Sequence, residues 1–105
     1  MTTNIAPKHS FMYSGARMNI YHANKGEGLA RHEHTYAHGT FCMAGSVIVR
    51  KSGVEMAIDK NTTPLNLVAG EWHELEAAED GTVFCNVFAE EFTNKQEATR
   101  QLPAQ

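Results

Sequence analysis

The chain has little of what secreted scaffolds, membrane spans and nucleic-acid binders are built from. It holds two cysteines, Cys42 and Cys85, far apart and each inside an apolar run. That excludes a framework of closely spaced disulfides. They read as buried thiols in a reducing compartment, with a disulfide or soft metal ligation as the alternatives. No apolar run approaches the roughly 20 residues that cross a bilayer. The opening Met1-Thr2-Thr3-Asn4 lacks the basic and then apolar order of a secretory leader. Nine Lys and Arg stand against twelve Asp and Glu, a formal net charge of -3. The basic residues are scattered and form no stripe of the kind that phosphate backbones require. These absences predict a cytoplasmic protein that engages neither membrane nor nucleic acid.

What is present is one domain's worth of alternating sequence. With 105 residues, 42% hydrophobic and 20% charged, residues 1–105 are expected to share one core. A chain of this length does not need a metal or disulfides to fold, so any metal it holds is expected to be functional. Met18, Ile20 and His22 alternate with Arg17, Asn19 and Tyr21, and Val54, Met56 and Ile58 alternate with Glu55, Ala57 and Asp59, the period of half-buried strands. Ser46–Lys51 and Thr82–Phe88 are rich in β-branched and aromatic residues, and the second reads as buried on both faces. Turn chemistry falls between these runs at Asn24–Gly28, Ala44-Gly45, Lys51–Gly53, Asp59–Pro64, Ala69-Gly70 and Glu79–Gly81. Short strands between such turns predict an all-β sandwich or barrel. Residues 1–10 read as an N-terminal arm, loose or paired with a neighbouring subunit. Residues 90–105 read as a polar tail or, over Glu90–Arg100, a short helix.

Three of the six histidines fall within "RHEHTYAHGTF", residues 31–41. On a strand, residues two apart share a face, so His32 and His34 can aim both imidazoles into one space while Glu33 points away. A bend after His34 could return His38 to the same cavity. Three nitrogen ligands suit zinc, iron, nickel, copper or manganese better than calcium or magnesium. A fourth candidate, His73, follows a Gly-centred turn in Val68–Leu75. Any one of these histidines would by itself read as an ordinary surface or core residue; the four together read as a metal site. His9 and His22 have no such support and read as ordinary strand residues, although the parity of His22 with Met18 and Ile20 could place it against the core.

The pattern resembles the cupin superfamily. That family's first motif is a Gly, five residues, His-x-His, three or four residues, usually Glu, six residues and Gly. Here Gly26, His32, His34, His38 and Gly45 keep the spacing, with His in the usual Glu position. The second motif, Pro-x-Gly-x-x-His, is matched at Gly70 and His73, with Val68 where Pro is common and Ala77 where a downstream Asn would stand. The two motifs span Gly26 to Ala77, about half the chain. The resemblance implies a double-stranded β-helix, or jelly-roll barrel, holding one divalent transition metal ion on His32, His34, His38 and His73, in a protein that forms a homodimer.

Replacing the family's Glu by His leaves four neutral ligands. The ion's charge is then uncompensated, making it a stronger Lewis acid that favours anionic ligands. Tyr36, between two proposed ligands, is the candidate polar group beside a substrate. Phe41, Met43, Met56, Trp72 and Phe84 could also line a pocket, with packing the plainer role. Glu33, Glu74 and Glu76 alternate with inward positions, so no general base is evident and the chemistry is expected to be the metal's own. The first functional expectation is a metal-dependent oxygenase or oxidase acting on a small organic molecule. The alternative is a non-catalytic cupin that binds or senses a small ligand through its metal.

Overall fold

Eleven strands account for most of residues 2–89 and 99–101, the residues described in a computed structural model of the chain. They are β1 (Thr3–Asn4), β2 (His9–Tyr13), β3 (Ala16–Ala23), β4 (Glu27–His34), β5 (His38–Ala44), β6 (Ser46–Lys51), β7 (Val54–Asp59), β8 (Leu65–Leu67), β9 (His73–Ala77), β10 (Thr82–Ala89) and β11 (Thr99–Gln101). The turn-rich stretches fall between strands, and no helix occurs among the described residues. One sheet runs β1-β4-β9-β6-β7, with β11 also on β4; the other runs β2-β3-β10-β5-β8. Consecutive strands thus pass repeatedly from one sheet to the other, and the two face each other as a double-stranded β-helix, the fold that the resemblance implies.

Alternation along each strand builds the interior. Val47 and Val49 on β6, Ile58 on β7, Leu67 on β8, Leu75 and Ala77 on β9 and Phe84 on β10 are all 2% exposed or less. Phe84 stacks on Tyr21 across the β10–β3 pairing, ring centroids 4.8 Å apart. Full burial of an aliphatic or aromatic side chain contributes about 1.5–3 kcal/mol, so this cluster is the main force closing the barrel. The opposite parity faces outward. Arg50 there reaches Glu76 at 2.7 Å, Glu55 at 2.8 Å and Glu74 at 3.4 Å across three strands. Glu33, Glu74 and Glu76 face away from the interior, as expected.

Three expectations are corrected. On β3 the inward residues are Tyr21 and Ala23, which join the core cluster, while His22 is exposed; Met18 and Ile20 share its outer face, beside Phe11 and His9 of β2 in register. The N-terminal arm belongs to its own barrel: Thr3 and Asn4 pair in parallel with Glu27 and Gly28, and β2 pairs with β3. The expected Glu90–Arg100 helix falls mostly outside the described residues, but its end is a strand: Thr99, Arg100 and Gln101 pair with His34, Glu33 and His32. On that edge β1 takes only Glu27 and Gly28 of β4, and β11 takes His32, Glu33 and His34 further along the same strand.

Candidate metal centre

The four histidines of the two motifs meet at one end of the barrel interior. A register shift between Leu29 and His32 interrupts the β4–β9 ladder and sets His32 directly opposite His73; such bulges re-aim side chains. His34 ends β4, the chain bends through Thr35–Ala37, and His38 opens β5. His73 opens β9 in the same inward row as Leu75 and Ala77. The turn before it needs Gly70 at φ 77°, a left-handed conformation that costs glycine little. The Gly70 amide donates to the His34 carbonyl at 2.8 Å, tying the second motif to the end of the first. Outside the barrel the Arg31 guanidinium lies 4.3 Å over the Trp72 ring, so the residues next to His32 and His73 are held together as well.

All four imidazoles are buried, His32 to 5% exposure, His34 to 8%, His38 to 3% and His73 to 1%. Candidate ligand nitrogens of His32, His34 and His73 lie within 4.8 Å of one another. His38 joins them through its Nε2, 3.2 Å from the Nε2 of His73. Two nitrogens bound side by side to one ion at about 2.1 Å stand about 3.0 Å apart in an octahedral arrangement. The residues therefore fit a shared transition metal ion.

Hydrogen bonds on the far side of the rings agree. His32 Nδ1 lies 2.6 Å from the Ala30 carbonyl and His73 Nδ1 lies 3.2 Å from the Glu71 carbonyl. A carbonyl can only accept, so each Nδ1 carries the proton and each Nε2 keeps its lone pair. His38 Nδ1 lies 3.1 Å from Thr40 Oγ1, which itself donates to Asn86 Oδ1 at 2.7 Å. The hydroxyl proton is thus spent on Asn86, and Thr40 accepts from His38. Outer partners of this kind fix tautomer and ring orientation at metal sites. Burial is the first cause of depressed imidazole basicity, lowering His32 and pushing His34 to about 2, His73 to about 3 and His38 to about 4. Neighbouring imidazoles add to it at the last three. Four neutral rings with converging lone pairs are ready for a cation.

A cavity of about 220 Å³ opens beside these rings, lined by His32, His34 and His38 with Tyr21, Tyr36 and Phe88, by Leu29, and by Asn4, Asn19 and Asn86. Tyr36 is buried, stacked on His34 at 4.6 Å and set against Phe88 at 5.2 Å. Of the other pocket candidates, Met43 is exposed, Phe84 and Met56 pack in or against the core, Trp72 takes Arg31, and Phe41 pairs with Cys85 on the outer face. Sequence reasoning missed Tyr21, Asn19 and Asn86. Asn86 had a visible sign, a lone carboxamide inside the apolar run Thr82–Phe88. Cys42 and Cys85 are free, buried thiols away from the cavity lining.

No protein-family model matches the chain, and no curated protein matches it. Solved structures do. An uncharacterized conserved protein with a double-stranded β-helix domain from Klebsiella pneumoniae subsp. pneumoniae aligns with a TM-score of 0.63 and 17% identity over 76% of this chain and 68% of that one. Oxalate decarboxylase from Bacillus subtilis aligns with a TM-score of 0.63 and 17% identity over 90% of this chain and 30% of its own. The capsular polysaccharide assembling protein CapF from Staphylococcus aureus reaches a TM-score of 0.69 at 16% identity, over 90% of this chain and 31% of that one. The chain thus spans under a third of the length of the last two, and the likeness is one of fold.

Proposed function

We propose that this chain, a barrel of the cupin fold, holds one divalent transition metal ion on His32, His34, His38 and His73 and acts as a metal-dependent oxygenase or oxidase on a small organic molecule. The observation that carries the reading is the set of Nδ1 contacts of His32, His38 and His73 with oxygen atoms behind the rings, which assigns the protons to Nδ1 and leaves the lone pairs at Nε2. The Bacillus subtilis oxalate decarboxylase that shares the fold has Mn(II) centres, which supports manganese or iron ahead of zinc, nickel or copper. When bound, the ion supplies Lewis-acid and redox chemistry to a chelated substrate.

The chain's own residues do the rest. Four neutral imidazoles add no negative charge, so the full positive charge of the ion is directed at the ligand. Leu29, Phe88 and the Tyr36 ring supply the apolar part of the cavity lining. Tyr36, held on His34, is the phenol we place beside the substrate. No carboxylate lines the cavity among the described residues, so no side chain is assigned as general base. The same fact favours a second reading, a non-catalytic barrel that binds or senses a small ligand through its metal.

Oxygen uptake separates the two. Protein loaded anaerobically with Fe(II) or Mn(II) is expected to consume dioxygen only when a chelating diketone or phenol is supplied. Tight binding of such molecules without uptake would favour the binder, and a wild-type protein that retains no metal would end both readings. We also place the protein in the cytoplasm, as its buried free thiols suggest, and as a homodimer through the outer face that carries exposed Phe11 and Tyr13. A monomer in light scattering would remove the second assignment.

A further inference from the structure

We infer that the cavity beside the histidine cluster turns hydrogen-bond donors toward its ligand and thereby selects the oxygen atoms of a small anionic chelator, with Asn86 and Tyr21 as the selecting residues. The inference rests on the metal-binding reading above and names the ligand class that such a site would take.

Two hydrogen-bond relays, on neighbouring strands, have the same sense. In the first, His38 Nδ1 donates to Thr40 Oγ1 and Thr40 donates to Asn86 Oδ1. The Asn86 carbonyl oxygen is thus engaged from behind, and its amide NH2 is the end left for the cavity that it lines. In the second, Arg17 donates to Ser10 Oγ at 3.4 Å, and Ser10 donates to Asn19 Oδ1 at 2.6 Å. With its oxygen taken, Asn19 bonds the Tyr21 hydroxyl through its amide and is the donor there. The phenol oxygen has its partner, so the hydroxyl proton of Tyr21 is what can be offered onward.

The relays meet in register, because Asn19 and Asn86 are direct cross-strand partners and Asn86 is also paired with Thr40. Asn4, at the same cavity, likewise has its Oδ1 taken, by the Ala30 amide at 2.7 Å. Burial pushes the Tyr21 phenol up to about 12, so it stays a donor throughout the neutral range. Around these groups no carboxylate lines the cavity among the described residues.

Donors beside four uncharged ligands, with no carboxylate in the lining among the described residues, give an amine or ammonium group no anionic partner. They suit carboxylate, enolate or phenolate oxygens, which accept charge-assisted hydrogen bonds. The volume of about 220 Å³ lies below the ~300–1,000 Å³ of drug-sized pockets, so the ligand is small.

Oxalate serves as the probe, titrated calorimetrically into Mn(II)-loaded wild-type protein and into Tyr21→Phe and Asn86→Leu, with Mn(II) content measured by mass spectrometry. Both substitutions are neutral for neutral, so a change in affinity reports lost donors and not altered charge. Tyr21→Phe keeps the ring that stacks on Phe84 and guards against a folding defect in the other variant. Loss of a hydrogen bond to a charged oxygen predicts oxalate binding weakened about tenfold or more, with Mn(II) content unchanged, in at least one variant. Undiminished affinity in both variants with metal retained, or no oxalate binding by metal-loaded wild type, would overturn the inference while leaving the metal site standing. Failure of the wild type to retain Mn(II) would instead remove the reading on which it rests.

Discussion

The Nε2 atoms of His38 and His73 lie 3.2 Å apart although the two residues stand 35 positions apart in the chain. With both Nδ1 atoms protonated, their lone pairs confront each other in a buried space. A shared cation relieves that confrontation. His73→Ala is therefore expected to abolish stoichiometric metal, whereas His38→Glu, which restores an anionic ligand, should retain it. Metal analysis on protein purified without an affinity tag checks both, and full metal content in His73→Ala would refute the ligand assignment.

Thr40 is fully buried and bonds both His38 and Asn86. Thr40→Val keeps the shape and deletes the hydroxyl. Loss of an outer partner typically weakens metal affinity roughly 10–100-fold, and that range is expected in a competition titration against a chelator. A variant that competes as well as wild type would show that Thr40 does not orient His38.

Acid should destabilise the metal-free protein. Each imidazole titrates near 6.5 in the unfolded chain, while in the fold His34 is depressed to about 2, His73 to about 3 and His38 to about 4. The unfolded state therefore takes up protons that the folded state refuses. The contribution of these three groups is fully present above pH 6.5 and is lost as pH falls from there toward their folded values. Between pH 7 and pH 5 that amounts to at most about 2 kcal/mol per imidazole. Urea denaturation of chelator-treated protein should show a markedly lower midpoint at pH 5 than at pH 7; equal midpoints would contradict neutral burial of the rings.

Phe84 is fully buried and stacked on Tyr21. Phe84→Ala is expected to cost about 3–5 kcal/mol, since the lost transfer energy is joined by a cavity that the two sheets cannot fully close. Equilibrium denaturation measures it, and a cost under about 1 kcal/mol would mean that the sheets can collapse around the gap.

Two turn glycines provide an internal comparison. Gly45 has φ 72°, and a Cβ there would stand 2.9 Å from the Thr82 Cα. Gly53 has φ 79° with nothing within 4 Å of such a Cβ. Gly53→Ala should cost only the left-handed backbone penalty of about 1–2 kcal/mol, and Gly45→Ala more, because the backbone of Thr82 must shift too. Thermal melts of the two variants rank them, and the reverse order would show that the turn relaxes away from Thr82.

The histidine cluster was the most legible part of the sequence. Motif spacing singled out His32, His34, His38 and His73, and strand parity correctly sent Glu33, Glu74 and Glu76 outward. The cavity wall was much less so. A two-residue period separates the faces of β3 but does not say which is inside, and Met18 and Ile20 outweighed Asn19 and Tyr21 as apolar residues. On the outer face of that strand Met18 stands beside Phe11 of β2, a pairing set by tertiary structure. Asn86 went unnoticed in its apolar run because its partner Thr40 comes from a strand 46 residues earlier. The pairing of β11 with β4 depends on an open edge that no local pattern announces.

The convergence of His38 and His73 also has a mechanical side. An ion held by both would close the intervening chain into a loop, acting as a reversible staple. By the loop-closure entropy that applies to cross-links, a ring of this length restricts the unfolded chain by up to about 4 kcal/mol. The same site that would activate a ligand would then set how long the barrel survives against proteases, and starvation for metal would be read out as turnover of the protein itself.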